Sequence, residues 1–170
     1  LIGTGPRLQM LGGDEGRNAL LETEWVRWMR KTRFARTLRT ASRCKVREGA
    51  ALGLIGHDSK LPTKAKVKLR LVEIDRLHTP DLTPLEPGRV DGIDFDKEGD
   101  PEWYWILDVH PGAQQVLGMP TATRYPASAI VHWFDEDRAE QHHGLSEMQP
   151  SLRLFGQQRR FLRATLRAIE

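Results

Sequence analysis

Apolar residues recur at two different spacings along the chain, and the places where the spacing changes divide it into elements. "LIGTGPRLQML" begins as a short apolar strand and turns through Gly and Pro. Gly12 and Gly13 then make a joint, with Asp14 placed as a helix N-cap. From there Leu21, Trp25, Trp28 and Met29 stand at i, i+4, i+7 and i+8, which predicts an amphipathic helix with both tryptophans in a core. A second helix is predicted over Phe34 to about Val46. Phe34, Leu38 and Ala41 fall on one side of it, and Arg33, Arg36, Arg39, Arg43 and Arg47 on the other.

The period then shortens. "GAALGLIG" and "VKLRLVEI" are apolar or alternating runs of strand length, separated by "HDSKLPTK". "HTPDLTPLEPGR" holds three prolines in twelve residues and reads as a surface loop. "VDGIDFDKEGDPEWYWIL" reads as a hairpin: Ile93 and Phe95 alternate with acids, "DKEG" turns, and Trp103, Trp105 and Leu107 alternate with Tyr104 and Ile106. "HPGAQQVLGMPTATRYP" is expected to be a second loop, followed by the short strand "SAIVHWF". A last amphipathic helix is predicted from about Pro150, a residue well suited to a first turn.

These elements predict one α+β domain spanning residues 1–170: two N-terminal helices, mixed or antiparallel strands with a hairpin, and a C-terminal amphipathic helix. The chain starts on Leu1 and stops inside an apolar-periodic pattern, so a fragment of a longer protein, cut at both ends, is expected. No run approaches the roughly 18 apolar residues of a membrane helix. The single cysteine, Cys44, excludes an intrachain disulfide framework and is expected to be a small buried residue.

The formal net charge of +3 is modest, but its distribution is uneven. Trp25 to Val46 carries eight Arg or Lys and no acid, whereas Asp91 to Asp108 carries seven acids against Lys97 alone. Such segregation suits contact with a polyanion or complementary contact between subunits. The last helix repeats the theme. Arg153, Arg160, Arg163 and Arg167 share one face, opposite Leu154, Phe155, Phe161, Leu162 and Ile169, and no acid occurs from Met148 to Ile169.

Candidate chemistry is thin by comparison. Asp94, Asp96, Glu98 and Gly99 imitate the start of a calcium loop, but its twelfth position is Trp105 where a bidentate Glu is needed, so a hairpin turning on a left-handed Gly99 is expected instead. "IVHWFDEDRAEQHHG" gathers three of the six histidines beside four carboxylates, yet none of the six makes an H-E-x-x-H spacing. His132 lies between Val131 and Trp133 in a strand, where a half-buried, hydrogen-bonded imidazole is expected. A metal-dependent hydrolase using His132 with Asp135, Asp137 and a later His is one alternative, and a basic DNA-binding module is another. There is no G-x-S-x-G elbow, and "GTG" is only a fragment of a dinucleotide motif.

The order of segments resembles the lambda-type portal proteins of tailed bacteriophages. "LIGTGPRLQM" before a Trp-bearing helix, "LRTASRCKVREGAALGLI", "LRLVEIDRL", the hairpin segment, and above all "YPASAIVHWFDEDRAEQHHGLSEMQPSL" carry the resemblance. Its strongest element is the run with His132, Phe134, Arg138, Gln141, His143 and Gly144, then Pro150 leading into a long helix. The resemblance implies a non-enzymatic subunit with no cofactor and a portal-like core. Twelve such subunits would form a ring at one capsid vertex, through which double-stranded DNA is packaged and ejected. It also implies the packaging terminase, capsid and head-tail connector proteins as partners, a place in the virion after synthesis in the host cytoplasm, and no membrane. Gly144 would then permit a tight turn, and Arg138 polar contacts within or between subunits. A conduit must let the duplex slide, so dense phosphate binding is counterproductive. Subunit contact is therefore expected for at least one of the stripes carrying Arg36, Arg39 and Arg43 or Arg153, Arg160, Arg163 and Arg167.

Overall fold

In a computed structural model, residues 3–79, 88–113 and 121–169 are described. Helix α1 runs Glu15–Thr32, with the Asp14 carboxylate accepting the backbone N–H of Arg17 at 3.1 Å as its N-cap. Arg33 takes a left-handed conformation (φ 54°) that closes α1, and helix α2 (Phe34–Glu48) opens at once. Gly49, left-handed at φ 89°, ends α2 and feeds strand β1.

Two antiparallel sheets follow. Strands β1 (Ala50–His57), β2 (Val67–Val72) and β7 (Ile130–Phe134) form one, in the order β2-β1-β7. Strands β3 (Arg89–Val90), β4 (Ile93–Phe95), β5 (Pro101–Leu107) and β6 (Ala122–Pro126) form the other as a meander. The α+β class and the three helices stand as the sequence predicts, and every strand pairing is antiparallel.

The core lies between the sheets: Leu52 and Leu54 of β1 and Val72 of β2 pack with Leu77, Ile93, Tyr104 and Ile106. Strand β1 is buried from Ala50 to Leu54, because the second sheet covers one face and α2 packs against β1 and β2. Ala51 and Gly53 alternate with the core leucines, and their small size suits close approach of a helix.

Three expectations are corrected. No strand forms over the described part of the opening segment, 3–11, whose Gly3, Gly5 and Pro6 break regular structure. Helix α1 has no buried residue; it packs on α2 at the edge of the molecule, so Trp25 and Trp28 are half-buried and stack with Phe34 instead of entering the core. The predicted second loop contains β6, which pairs along β5 from Trp103↔Pro126 to Leu107↔Ala122; Pro126 is tolerated because β6 is an edge strand. Residues 114–120 of that loop, and 80–87 of the proline-rich one, lie outside the described residues. Cys44 is free and half-buried.

Helix α3 (Gln149–Ile169) stands apart from this arrangement. Its chain direction is set by Ser146, whose carbonyl accepts the Gln149 N–H and whose Oγ accepts the Met148 N–H. Every described side chain from Leu152 to Ala168 is exposed, on the apolar face as well as the arginine face.

Candidate functional site

The histidine-rich stretch that the sequence singles out does not converge on one point. Strand β7 alternates, so His132 and Phe134 face the inter-sheet seam while Trp133 faces the other way. Lys45 of α2 lies over the Trp133 ring at 5.6 Å and pairs with Asp135 on that outer side. Asp137 is held through its backbone N–H, which donates to Gln141 Oε1 at 2.9 Å. His132, Asp135 and Asp137 are therefore not assembled around a common point, and no group of three or more metal-binding side chains forms among the described residues.

What His132 does instead is close a seam. Its ring stacks edge-on against Tyr104 at 5.8 Å and lies 4.5 Å from Phe134 and 5.7 Å from His143, centroid to centroid. Its Nε2 is buried and unpartnered among the described residues, which departs from the hydrogen-bonded state expected. Burial, with the neighbouring His143 adding to it, pushes its pKa down to about 4. His143 is also lowered, mainly by burial, against an opposing pull from Asp91. The adjacent His142 points elsewhere, onto Phe95 at 4.2 Å. Gln141, buried, ties the loop by donating to the His143 carbonyl at 2.6 Å.

Gly144 meets no need for a left-handed turn. A Cβ there would fall 2.6 Å from the Gly49 carbonyl carbon, so its role is close approach of two backbones. Pro150 sits in the first turn of α3, and Arg138 is exposed in the loop after β7 without an ion pair among the described residues.

The arginines form surfaces. Arg33, Arg36, Arg39, Arg43 and Arg47 are all exposed. Arg47 pairs with Glu48 and Arg39 donates to the Gly3 carbonyl at 2.6 Å, while Arg36 and Arg43 make no ion pair among the described residues. Where α1 meets α2, a cleft of about 530 Å³ has an apolar floor of Val26, Met29 and Ala35; its rim carries Arg7, Arg30, Arg33, Arg36 and Arg39 and no carboxylate. Arg153, Arg160, Arg163 and Arg167 share one exposed face of α3.

The acidic hairpin is well ordered by its own groups. The Asp96 carboxylate accepts the N–H groups of Glu98 and Asp100 at 3.0 and 2.8 Å, and Gly99 is left-handed at φ 89° as expected. Asp94 is not available to a cation. Burial alone would raise its pKa, but hydrogen bonds from Arg89 and Trp105 and the charges of Arg89 and Arg124 outweigh burial and hold it below the usual range. Around it Arg124 covers Trp103 at 4.2 Å and Arg89 covers Trp105 at 5.1 Å.

This geometry offers charged and apolar surfaces, and no assembled catalytic group among the described residues. The model for "Phage portal protein, lambda family" matches residues 1–170, the whole chain. The chain belongs to the lambda family of phage portal proteins. No curated protein matches it. Membership of this portal family makes the role structural, in capsid assembly and DNA packaging. Sequence reasoning missed Arg7 and Arg30 in the cleft, Gln141 as the loop clamp, and the Arg124–Trp103 stack. The cleft residues and the Arg124–Trp103 pair are distant in the chain, so no spacing marks them, while the Gln141 clamp is local, to Asp137 and His143, and carries no motif of its own.

Proposed function

We propose that the chain is part of a subunit of the phage portal ring, which surrounds the channel through which double-stranded DNA is packaged and ejected. The observation that carries this reading is the family match over the full length of the chain. Two surfaces support it: the arginine rim at the α1–α2 junction, which holds no carboxylate, and α3 with Leu154, Phe155, Phe161 and Leu162 at 53–70% exposure among the described residues. Uncovered apolar surface on this scale belongs in an interface.

On this reading the mechanism is geometric. Heterologous contacts between copies close a ring, about a dozen subunits are expected, and the packaging terminase supplies the chemical energy while capsid and head-tail connector proteins dock outside. At least one of the stripes, Arg36, Arg39 and Arg43 or Arg153, Arg160, Arg163 and Arg167, contacts a neighbouring subunit. His132, Phe134, Arg138, His143, Gly144 and Pro150 shape the strand end and loop that lead into α3. No catalytic, cofactor or metal role is assigned to any of them.

The test is the native mass of the full-length protein by light scattering, with negative-stain imaging. A ring with a central hole is expected. A monomer or dimer at every salt and protein concentration would defeat the reading, and metal analysis of the same sample would then decide whether the His132 hydrolase alternative takes its place.

A further inference from the structure

Two oppositely charged features lie at opposite ends of α2. The arginine cleft, with Arg30, Arg33 and Arg36 on its rim, is at the helix N-terminus. The other end, Gly49, abuts Gly144, and the loop before Gly144 lines one cleft with the β4–β5 turn: Glu136, Glu140 and His142 face Phe95, Glu98 and Gly99 there. Fifteen residues of helix separate the two ends by about 22 Å.

The β4–β5 turn is exposed and ready-made. Residues 96–102 are all exposed and carry Asp96, Glu98, Asp100 and Glu102 against Lys97. Because the Asp96 side chain already fixes the turn, docking costs little ordering, and Glu98, Asp100 and Glu102 have no ion pair among the described residues. The cleft carries the matching charge: Val26, Met29 and Ala35 line it together with Arg7, Arg30, Arg33 and Arg36, which make no ion pair among the described residues either.

We infer that the arginine cleft at the α1–α2 junction receives the acidic β4–β5 turn of a second copy of this chain. The contact is heterologous, since donor and acceptor surfaces differ, and repeats head to tail from copy to copy. The inference rests on the ring reading above and names the surfaces that would build it. Duplex DNA would be the rival occupant of the cleft.

Charge reversal in the full-length protein tests it. Arg30→Glu with Arg36→Glu should weaken assembly about a hundredfold, and so should Glu98→Lys with Asp100→Lys, because like charges then face each other at every interface. All four changes in one chain should restore the ring. Mixing the two double variants should also give rings, since one then offers only acidic and the other only basic surfaces; this rescue excludes misfolding as the cause of the losses. Rings of wild-type mass from both double variants would overturn the inference and leave the ring reading intact. The same rings with reduced duplex retention would overturn it in favour of DNA. Failure of the wild-type chain to form any ring would defeat both.

Discussion

Gly49 and Gly144 stand back to back, each occupying the space that a side chain on the other would need. A Cβ on Gly144 would lie 2.6 Å from the Gly49 carbonyl carbon and 2.8 Å from the Phe134 Cβ, and one on Gly49 would lie 2.6 Å from the backbone carbons of Gly144 and Leu145. This contact fixes the end of α2 against the loop that precedes α3, so it links the helical layer to the histidine seam. Gly144→Ala should cost about 2–4 kcal/mol, since two backbones must part. Gly49→Ala should cost at least as much, because its φ of 89° adds strain. Gly156→Ala, in open space within α3, should be neutral or stabilising. Equilibrium urea unfolding of the three variants checks the order, and an unaltered Gly144→Ala midpoint would dismiss the contact.

The buried imidazole of His132, its Nε2 unpartnered among the described residues, makes stability depend on pH. Its folded pKa of about 4 lies below the ordinary 6.5, so below pH 6.5 the unfolded chain takes up a proton that the folded chain refuses. The His132 contribution should be flat above pH 7, fall from about 6.5 to about 4, and level off below that, for a loss of about 3 kcal/mol. His143, lowered as well, acts in the same direction, with Asp91 opposing it. Tyr104 and Phe134 are the other faces of the site and carry no charge in this range. His132→Phe should remove most of the slope, as measured by urea midpoints between pH 7.5 and 4.5. A variant slope equal to wild type would show that the ring is not excluded from water.

Asp94 acts with the same sign as His132, at lower pH. Its depressed pKa means that the stability it contributes is present above pH 4 and is lost as pH falls through the folded value. With Arg89 at 2.6 Å and both side chains only 14% exposed, Asp94→Asn should cost about 1–3 kcal/mol at neutral pH. It should also shift tryptophan fluorescence, because the carboxylate accepts the Trp105 Nε1–H at 3.0 Å. An unshifted spectrum with unchanged stability would mean that the Arg89–Trp105–Arg124 stack holds without its carboxylate.

Local patterns were legible and their tertiary meeting points were not. The α2 stripe reads directly from Phe34, Leu38 and Ala41, and the β4–β5 turn from "DKEG", because each is decided within a few residues. Strand β6 was hidden by Pro120 and Pro126, which argue for a loop until the edge position is known. Trp25 and Trp28 satisfied a core pattern, but the pattern says only that one face is covered, and Phe34 and α2 cover it. The clustered histidines suggested a site because they are close in sequence. Alternation along β7 and the loop fold sent His132, His142 and Asp135 to different neighbours. The arginine cleft joins Arg7 to Arg36 across a helix hairpin, a proximity no spacing rule reports.

The apolar face of α3 separates folding from assembly. Phe155 and Leu162 are 56% and 53% exposed, in a helix on which every described side chain from Leu152 to Ala168 is open to solvent. Their truncation therefore removes little packing from the chain itself. Phe155→Gln with Leu162→Gln keeps helix propensity, so the unfolding free energy should change by less than about 0.5 kcal/mol. On the ring reading a neighbouring subunit covers these side chains, and losing two large apolar groups from that interface should cost several kcal/mol per contact. Urea unfolding and native mass of the full-length protein read the two effects independently. A large fall in unfolding free energy with assembly preserved would place α3 against its own subunit and leave no part of its apolar face for a neighbour.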